Sequence, residues 1–243
     1  MPTAAPHASA PLWFAAPGAI EILRVGEERE PVVVIDGASG DPAALIESAA
    51  RVPFTAAARA GSGYPGLLGP APVAYLDAMV RFVLPLIAAH FGTGPVVPAR
   101  ARGNFSLVTT PAEALSADQC VPHVDTADRL QFATVHFLSD NADGTGFFRH
   151  RATGFETIDA ERLPAYRAAL DRELAAPPAP GYRIDSDARF ERIGAVAARH
   201  DRLVLYRAAL LHSGLISHLP DAAADPRRGR LTGNLFLQCR AGA

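Results

Sequence analysis

Residues 203–217 read LVLYRAALLHSGLIS, two apolar runs separated by a short break around Ala208-Ala209. Apolar runs of this length, bounded by turn residues, are typical of buried β-strands. In an extended backbone, residues two apart share a face, so the second run has an inward face formed by Leu210, His212, Gly214 and Ile216. The stretch therefore predicts a strand that directs the His212 imidazole into the interior of a β structure.

The chain after residue 98 is rich in segments of the same kind. Alternation and turn punctuation predict strands at residues 104–109, 130–138, 147–151, 190–197, 203–207, 210–217 and 230–238. One helix, at about 159–175, interrupts this series. Many strands after a helical N-terminal part indicate a mainly β protein with supporting helices, in the form of a jelly-roll or cupin-like barrel.

The first 98 residues are expected to be mostly helical support for that barrel. Residues 32–35 predict a short buried strand, and Asp41-Pro42 then predicts a helix start, because Asp caps helices and Pro suits their first turn. Residues 73–90 have helical apolar spacing, with Pro85 expected to kink or divide the helix. We expect one domain over residues 1–243, with a β core at 99–240.

Two further N-terminal segments are predicted to be irregular. Residues 1–18 are rich in Ala and Pro and are expected to lie extended over the surface, anchored by Trp13-Phe14. Residues 61–72 hold four Gly and three Pro, which predicts a loop that could lie over a site.

Composition excludes several classes of function. Lys and Arg number 23 against 25 Asp and Glu, and the net charge of -2 provides no broad positive field for nucleic acid. Only two Cys are present, which excludes a disulfide framework and fits a reducing cytoplasm. Neither a signal peptide nor a membrane span is expected, because no apolar run is long enough.

Two further pairs of polar residues share strand faces. His123 and Asp125 lie two apart in Pro122-His123-Val124-Asp125, so both can grip one metal ion, with His212 as the candidate third ligand. Two His and one carboxylate on one face of an octahedron leave the opposite face open for substrate and oxygen. Arg230 and Thr232 place a guanidinium and a hydroxyl on one strand face, which suits a carboxylate.

In this order, the segments resemble the 2-oxoglutarate and Fe(II)-dependent oxygenase superfamily, in a prolyl-hydroxylase-like bacterial branch. The family order is an HxD pair, a Gly-containing hairpin, a distal His after an apolar strand, and Arg-x-Ser/Thr. The hairpin here is Asp143-Gly144-Thr145-Gly146-Phe147-Phe148. The resemblance runs through roughly the C-terminal half. Eighteen positions separate His212 from Arg230, a longer gap than the family usually has, which suggests an inserted loop at 218–229.

The resemblance implies a double-stranded β-helix, with Fe(II) held by His123, Asp125 and His212. Arg230 and Thr232 would hold the distal carboxylate of 2-oxoglutarate, and Asn104 could add a hydrogen bond to this co-substrate or be structural. With O2, such enzymes decarboxylate 2-oxoglutarate to succinate and oxidise a C–H bond. Because family halogenases replace the ligand carboxylate by a small residue, Asp125 favours hydroxylation or desaturation of a small molecule or peptide.

Several alternatives stay open at the level of sequence. His218 could replace His212 as the third ligand. Arg149 and His136 could contact substrate, although a hydrogen-bonded structural role is the more frequent one for such a His, and His150 is in the same position. The chain could also be a cupin-like protein that binds metal or ligand without 2-oxoglutarate turnover, or a cupin-type dioxygenase that uses no 2-oxoacid. A homodimer is possible.

Overall fold

A computed structural model of the chain describes residues 13–139 and 143–242, so the first twelve residues of the expected surface tail lie outside it. The described chain contains three α-helices, α1 (Pro42–Ala49), α2 (Val73–His90) and α3 (Leu163–Leu174). Its strands are β1 (Ile20–Val25), β2 (Glu30–Ile35), β3 (Thr55–Ala56), β4 (Gly66–Pro70), β5 (Val96–Val108), β6 (Gln131–Phe137), β7 (Gly144–His150), β8 (Phe190–Ala197), β9 (Arg202–Arg207), β10 (His212–Gly214) and β11 (Leu231–Ala241).

The strands form two antiparallel sheets. The larger sheet has the order β1-β2-β9-β6-β11-β5-β4-β3, and the smaller has the order β10-β7-β8. An isolated antiparallel bridge between His123 and His212 adds a fourth segment to the smaller sheet beside β10. Four central strands of the larger sheet and four segments of the smaller one thus make a double-stranded β-helix, which confirms the predicted fold class.

Side-chain alternation divides the molecule into four layers. Leu203 and Leu205 of β9 pack with the buried faces of α1 and α2, whereas Val204 and Tyr206 of the same strand pack with Phe147 and Val196 of the smaller sheet. The other face of the smaller sheet packs on α3 through Phe148 and Leu170. The layers are therefore α1 and α2, the larger sheet, the smaller sheet, and α3, because strand residues of opposite parity face opposite layers.

The two N-terminal helices follow the predicted signals. The Asp41 carboxylate accepts a hydrogen bond from Ala44 N at 3.0 Å and so caps α1. Helix α2 runs through Pro85 as a single helix, which corrects the expected division. Pro85 and Arg81 lie on the exposed side, so water can satisfy the Arg81 carbonyl that loses its helical donor.

Helix α2 is also long and apolar enough to cross a membrane by length and composition alone. Within the described chain it is the one helix that meets this test. Its residues Tyr75, Met79, Val83 and Ile87, spaced one turn apart, are fully buried against the larger sheet. That packing is typical of a helix that covers a sheet.

The N-terminal part also contains strands β1 to β4 beside its two helices. The Gly-rich segment at 61–72 contains β4, which pairs with β5 at the edge of the larger sheet. A Cβ on Gly66 would lie 2.0 Å from the Leu107 carbonyl oxygen. The glycine that suggested a loop is therefore the residue that lets this strand approach its neighbour.

A buried hydrogen-bond network joins the helical layer to the larger sheet. The Tyr75 hydroxyl lies 2.9 Å from His136 Nδ1, and His136 Nε2 lies 2.8 Å from Asp201 Oδ1. Ser39 donates to the same carboxylate from its backbone N–H and its hydroxyl. His136 thus faces α2, opposite to Val135 and Phe137. The expectation that His136 contacts substrate was wrong, because its strand parity points it away from the space between the sheets.

Burial and hydrogen bonds together determine the charges of His136 and Asp201. Burial lowers the pKa of His136, which keeps the imidazole neutral, so Nε2–H donates to Asp201 and Nδ1 accepts from Tyr75. Burial alone would raise the pKa of Asp201, but hydrogen bonds from His136 and Ser39 lower it to about 2. The folded state therefore prefers the ionised carboxylate.

We expect Asp201→Asn to lower the free energy of unfolding by about 2 kcal/mol at pH 7, since the lowered pKa of Asp201 is a stabilisation of that order. Asn tolerates the φ of 57° at this position. Because the folded pKa is below the unfolded one, the difference between variant and wild type should shrink as pH falls from about 4 to 2. Urea unfolding across this pH range measures it.

Asp77→Asn, on the exposed side of α2, is the matched control and should leave stability within about 0.5 kcal/mol of wild type. Equal stabilities for Asp201→Asn and this control would show that the network contributes nothing.

Candidate metal centre

A cavity of about 450 Å³ opens between the two sheets. Its walls come from β5, β6 and β11 of the larger sheet, from β10 of the smaller one, and from loops at residues 62–65 and 116–121. This volume lies in the range of small-molecule sites. The predicted residues His123, Asp125, His212, Arg230 and Asn104 all line it.

The backbone brings the two candidate His ligands together. His123 N donates to His212 O and His212 N donates to His123 O, both at 2.9 Å. The ring centroids consequently lie 4.4 Å apart. Asp125 N donates to Ala208 O at 2.9 Å, which ties Asp125 to the turn between β9 and β10.

The three side chains converge on one point. His123 Nε2 lies 3.8 Å from Asp125 Oδ1, and His212 Nε2 lies 3.7 Å from Asp125 Oδ2. One ligand atom from each residue lies within 4.8 Å of the other two, so the group could hold one metal ion. The side chain of His123 is 55% exposed and that of His212 only 7%, so the group opens toward the cavity on the His123 side.

The His212 ring is prepared to act as a ligand. Its Nδ1–H donates to the Leu210 carbonyl oxygen at 2.8 Å, which leaves the lone pair on Nε2 facing Asp125. Burial lowers the pKa of His212 to about 4, so the imidazole is neutral at pH 7. Metal binding requires this neutral form.

Asp125 carries a buried oxygen without a partner. Burial raises the pKa of Asp125, while His123 and Arg102 act to lower it. Among the described residues, none donates a hydrogen bond to Asp125 Oδ2. A buried carboxylate oxygen in this condition is costly unless a cation accompanies it.

The other polar end of the cavity contains Arg230. Its Nη2 donates to the Gly144 carbonyl oxygen at 3.0 Å, and its guanidinium lies over the Phe137 ring at 5.4 Å. Arg230 Nε is buried and has no hydrogen-bond acceptor in the described part of the chain. The Thr232 hydroxyl lies 2.7 Å from the Ser106 hydroxyl.

Asn104 belongs to the same polar group. Asn234 Nδ2 donates to Ser106 Oγ at 2.8 Å and lies 3.3 Å from Asn104 Oδ1. Both Asn side chains line the cavity, so they can bind a ligand while they orient the neighbouring hydroxyls.

Tyr64 is a site residue that the sequence analysis missed. It lies in the turn before β4 and lines the cavity. Burial raises the pKa of Tyr64, and the nearby Arg230, Ser106 and Thr232 partly offset this rise. Its hydroxyl is buried with no hydrogen-bond partner among residues 13–139 and 143–242. An aromatic residue inside a Gly- and Pro-rich segment was the signal that could have identified it.

Arg149 lies outside the cavity, which corrects its expected contact with substrate. Its guanidinium bonds Glu156 Oε1 through Nε at 2.9 Å and pairs with Glu27 and Glu191 at 3.0 and 3.3 Å. Three carboxylates therefore occupy this Arg.

Two alternative His residues also lie elsewhere. His150 is fully buried. Its Nε2 lies 3.1 Å from Glu173 Oε2 and its Nδ1 contacts the Thr153 hydroxyl, so His150 has a structural role. His218 is exposed, contacts the Ser217 hydroxyl and does not belong to the ligand group.

Comparisons with known proteins identify a family but no activity. A family model described as "Family of unknown function (DUF6445)" matches residues 17–237. No curated protein matches the sequence significantly.

Among solved structures, HygX from Streptomyces hygroscopicus with nickel, 2-oxoglutarate and hygromycin B bound is 12% identical, with 87% of this chain and 84% of that chain covered and a TM-score of 0.47. The α-ketoglutarate-dependent epimerase SnoN from nogalamycin biosynthesis is 17% identical over 86% of this chain and 78% of that chain, with a TM-score of 0.43. An N-substituted L-amino acid dioxygenase from Burkholderia ambifaria AMMD is 13% identical over 86% and 82%, with a TM-score of 0.36. Similarity this low does not establish an activity for the present chain.

We expect His212→Ala to weaken Co(II) binding by about 100-fold or more, because loss of an outer partner of a ligand alone costs 10- to 100-fold. Calorimetric titration of the apo protein with Co(II) measures the change. His218→Ala is the matched control and should bind Co(II) as the wild type does. The reverse result would make His218 the third ligand.

Proposed function

The chain belongs to DUF6445, a family of unknown function, and we propose that it is a non-haem Fe(II) and 2-oxoglutarate-dependent oxygenase. The observation that carries this proposal is that three of the seven buried polar side-chain atoms without partners in the described chain belong to residues that line one cavity. Asp125 Oδ2 lies at the candidate metal centre, and Arg230 Nε and the Tyr64 hydroxyl belong to side chains at the other polar end of the same cavity.

These atoms match a metal ion and a dianionic co-substrate. Buried polar atoms are almost always satisfied in folded proteins, so three in one cavity indicate groups that a ligand completes. The carboxylate oxygen suits a cation, the guanidinium suits an anion, and the phenol can donate a hydrogen bond to that anion. Residues of the chain therefore fit Fe(II) at one end and a carboxylate at the other.

We assign Fe(II) to His123, Asp125 and His212. Two imidazoles and one carboxylate on one side of a metal are the ligand set of non-haem Fe(II) oxygenases. Arg230 would bind the distal carboxylate of 2-oxoglutarate, with Tyr64 and Thr232 as further hydrogen-bond partners. When bound, Fe(II) with 2-oxoglutarate and O2 supplies the oxidising chemistry, which releases succinate and CO2.

The chain's own residues position these groups and hold the His212 proton on one ring nitrogen. The Leu210 carbonyl oxygen holds the His212 proton on Nδ1, so the Nε2 atom stays available as a ligand. Tyr206 packs edge-on against the His212 ring, with centroids 4.8 Å apart, and excludes water from that side. The Arg230 side chain is held by Gly144 and Phe137 before any ligand binds, which lowers the cost of ordering it.

The proposed substrate is a small molecule or a modest peptide. The cavity must hold 2-oxoglutarate and the reacting part of the substrate, and its volume suits one small organic group beyond the co-substrate. The carboxylate ligand Asp125 favours hydroxylation or desaturation. The prolyl-hydroxylase-like branch, a cytoplasmic location and a homodimer stay predictions.

Anaerobic addition of Fe(II) and 2-oxoglutarate tests the proposal. We expect a visible charge-transfer band, which His212→Ala should abolish. Arg230→Ala should raise the 2-oxoglutarate concentration at half-saturation by about 10- to 100-fold, because a charge-assisted hydrogen bond contributes about 1.5–3 kcal/mol. Tyr64→Phe should raise it about 3- to 10-fold, because the loss is a neutral donor.

Arg228→Ala, in the loop before β11, removes the same charge outside this polar end and should leave the band unchanged. Co(II) binding without any band would identify instead a metal-binding barrel that uses no 2-oxoglutarate. A band that is insensitive to Arg230→Ala would move the co-substrate anchor to another residue.

A further inference from the structure

We propose that Asp118 selects a substrate with a cationic group, such as a primary ammonium, and binds that group at the mouth of the cavity. This inference rests on the proposed function. Asp118 lies in the single turn Ala117–Cys120, lines the cavity and is exposed. It is a specificity residue and takes no part in the oxidation step.

The charge balance of the cavity leaves Asp118 uncompensated. Apart from His, the charged residues that line it are Asp118, Asp125 and Arg230. In the loaded site, the positive charges of Fe(II) and Arg230 would cancel the negative charges of Asp125 and of doubly ionised 2-oxoglutarate. The remaining formal charge of the wall is the Asp118 carboxylate, so a cation on the substrate would neutralise it.

No cation of the described chain is paired with Asp118. The neighbouring Arg183 donates to the Cys120 carbonyl oxygen at 3.5 Å, but its guanidinium pairs with Asp187 at 3.2 Å. Arg102, the other cation near the centre, has its guanidinium over the Phe236 ring at 5.3 Å. The Asp118 carboxylate is therefore available to a ligand.

The backbone around Asp118 is held in place. Ser116 and Gln119 form a reciprocal capping box around the turn, with Ser116 N donating to Gln119 Oε1 at 3.0 Å. Gln119 Nε2 donates to the Gly63 carbonyl oxygen at 2.9 Å and ties the turn to the loop that carries Tyr64. A fixed backbone reduces the entropy lost when the carboxylate binds a ligand.

The rest of the lining, apart from the His residues, is uncharged and combines polar with apolar side chains such as Val121 and Ile216. Ser62 and Ser116 contribute hydroxyls to the wall near Asp118, whereas the Gln119 amide is already bonded to Ser116 and Gly63. These hydroxyls can hydrogen bond a polar amine without competing for its charge. The occupant that fits is a small polar molecule with an ammonium group.

Binding to the non-reacting protein tests the inference. The full chain, loaded with Mn(II) and 2-oxoglutarate without O2, is titrated with a panel of primary amines and their N-acetyl derivatives, including glucosamine and tyramine with their N-acetyl forms. We expect amines to bind more tightly than their N-acetyl partners. Asp118→Asn should reduce amine affinity about 2- to 5-fold and leave N-acetyl derivatives unchanged, because an exposed ion pair contributes up to about 1 kcal/mol.

Glu113→Gln is the matched control. It removes the same charge from the preceding exposed turn, Ala112–Ala114, which does not line the cavity, and should bind the panel as the wild type does. The amine preference should also weaken as salt rises. If no amine binds more tightly than its N-acetyl partner, or if Asp118→Asn and Glu113→Gln behave alike, the inference is wrong.

The charge-transfer band separates this failure from failure of the proposed function. A wild-type band without amine preference would overturn only the role of Asp118. Amine preference that depends on Asp118 in a protein without the band would support cation binding and overturn the oxygenase assignment.

Discussion

Two backbone hydrogen bonds between His123 and His212 are the constraint on which the candidate site depends. They join the segment after a short turn to the edge of the smaller sheet, and they fix two imidazoles side by side before any metal binds. Asp125, two residues farther along, is held by a separate hydrogen bond from its N–H to the Ala208 carbonyl oxygen. The ligand geometry thus comes from backbone hydrogen bonds, which cost the side chains little entropy.

Much of this arrangement could be predicted from local pattern. The convergence of His123, Asp125 and His212 was predictable from their spacing, although the structure places Asp125 at a bend and only His212 in a regular strand. The jelly-roll class was readable because many strands follow the helical region. By contrast, Arg149 and His136 were misjudged, because strand parity alone does not say which of two faces meets the cavity, and neighbours distant in sequence occupy both residues.

Tyr64 and β4 were missed for a related reason. Gly66 and Gly69 broke the apolar alternation that identifies strands, and their role depends on backbones and rings that come from elsewhere in the chain. The polar group around Arg230, which also includes Ser106 of β5, Thr232 of β11 and Tyr64, likewise comes from three separate parts of the chain. No single stretch of sequence describes it. Sequence spacing identified the three candidate ligands, but the long-range packing that completes the cavity required coordinates.

The close approach of β4 to β5 at Gly66 limits which residues this position can accept. Gly66 N donates to the Tyr64 carbonyl oxygen at 2.9 Å, and the space beside Gly66 is filled by the backbone of β5. A side chain at position 66 would force these two main chains apart and move the segment that carries Tyr64. Position 66 therefore requires glycine on steric grounds alone, and main-chain spacing governs this part of the cavity wall.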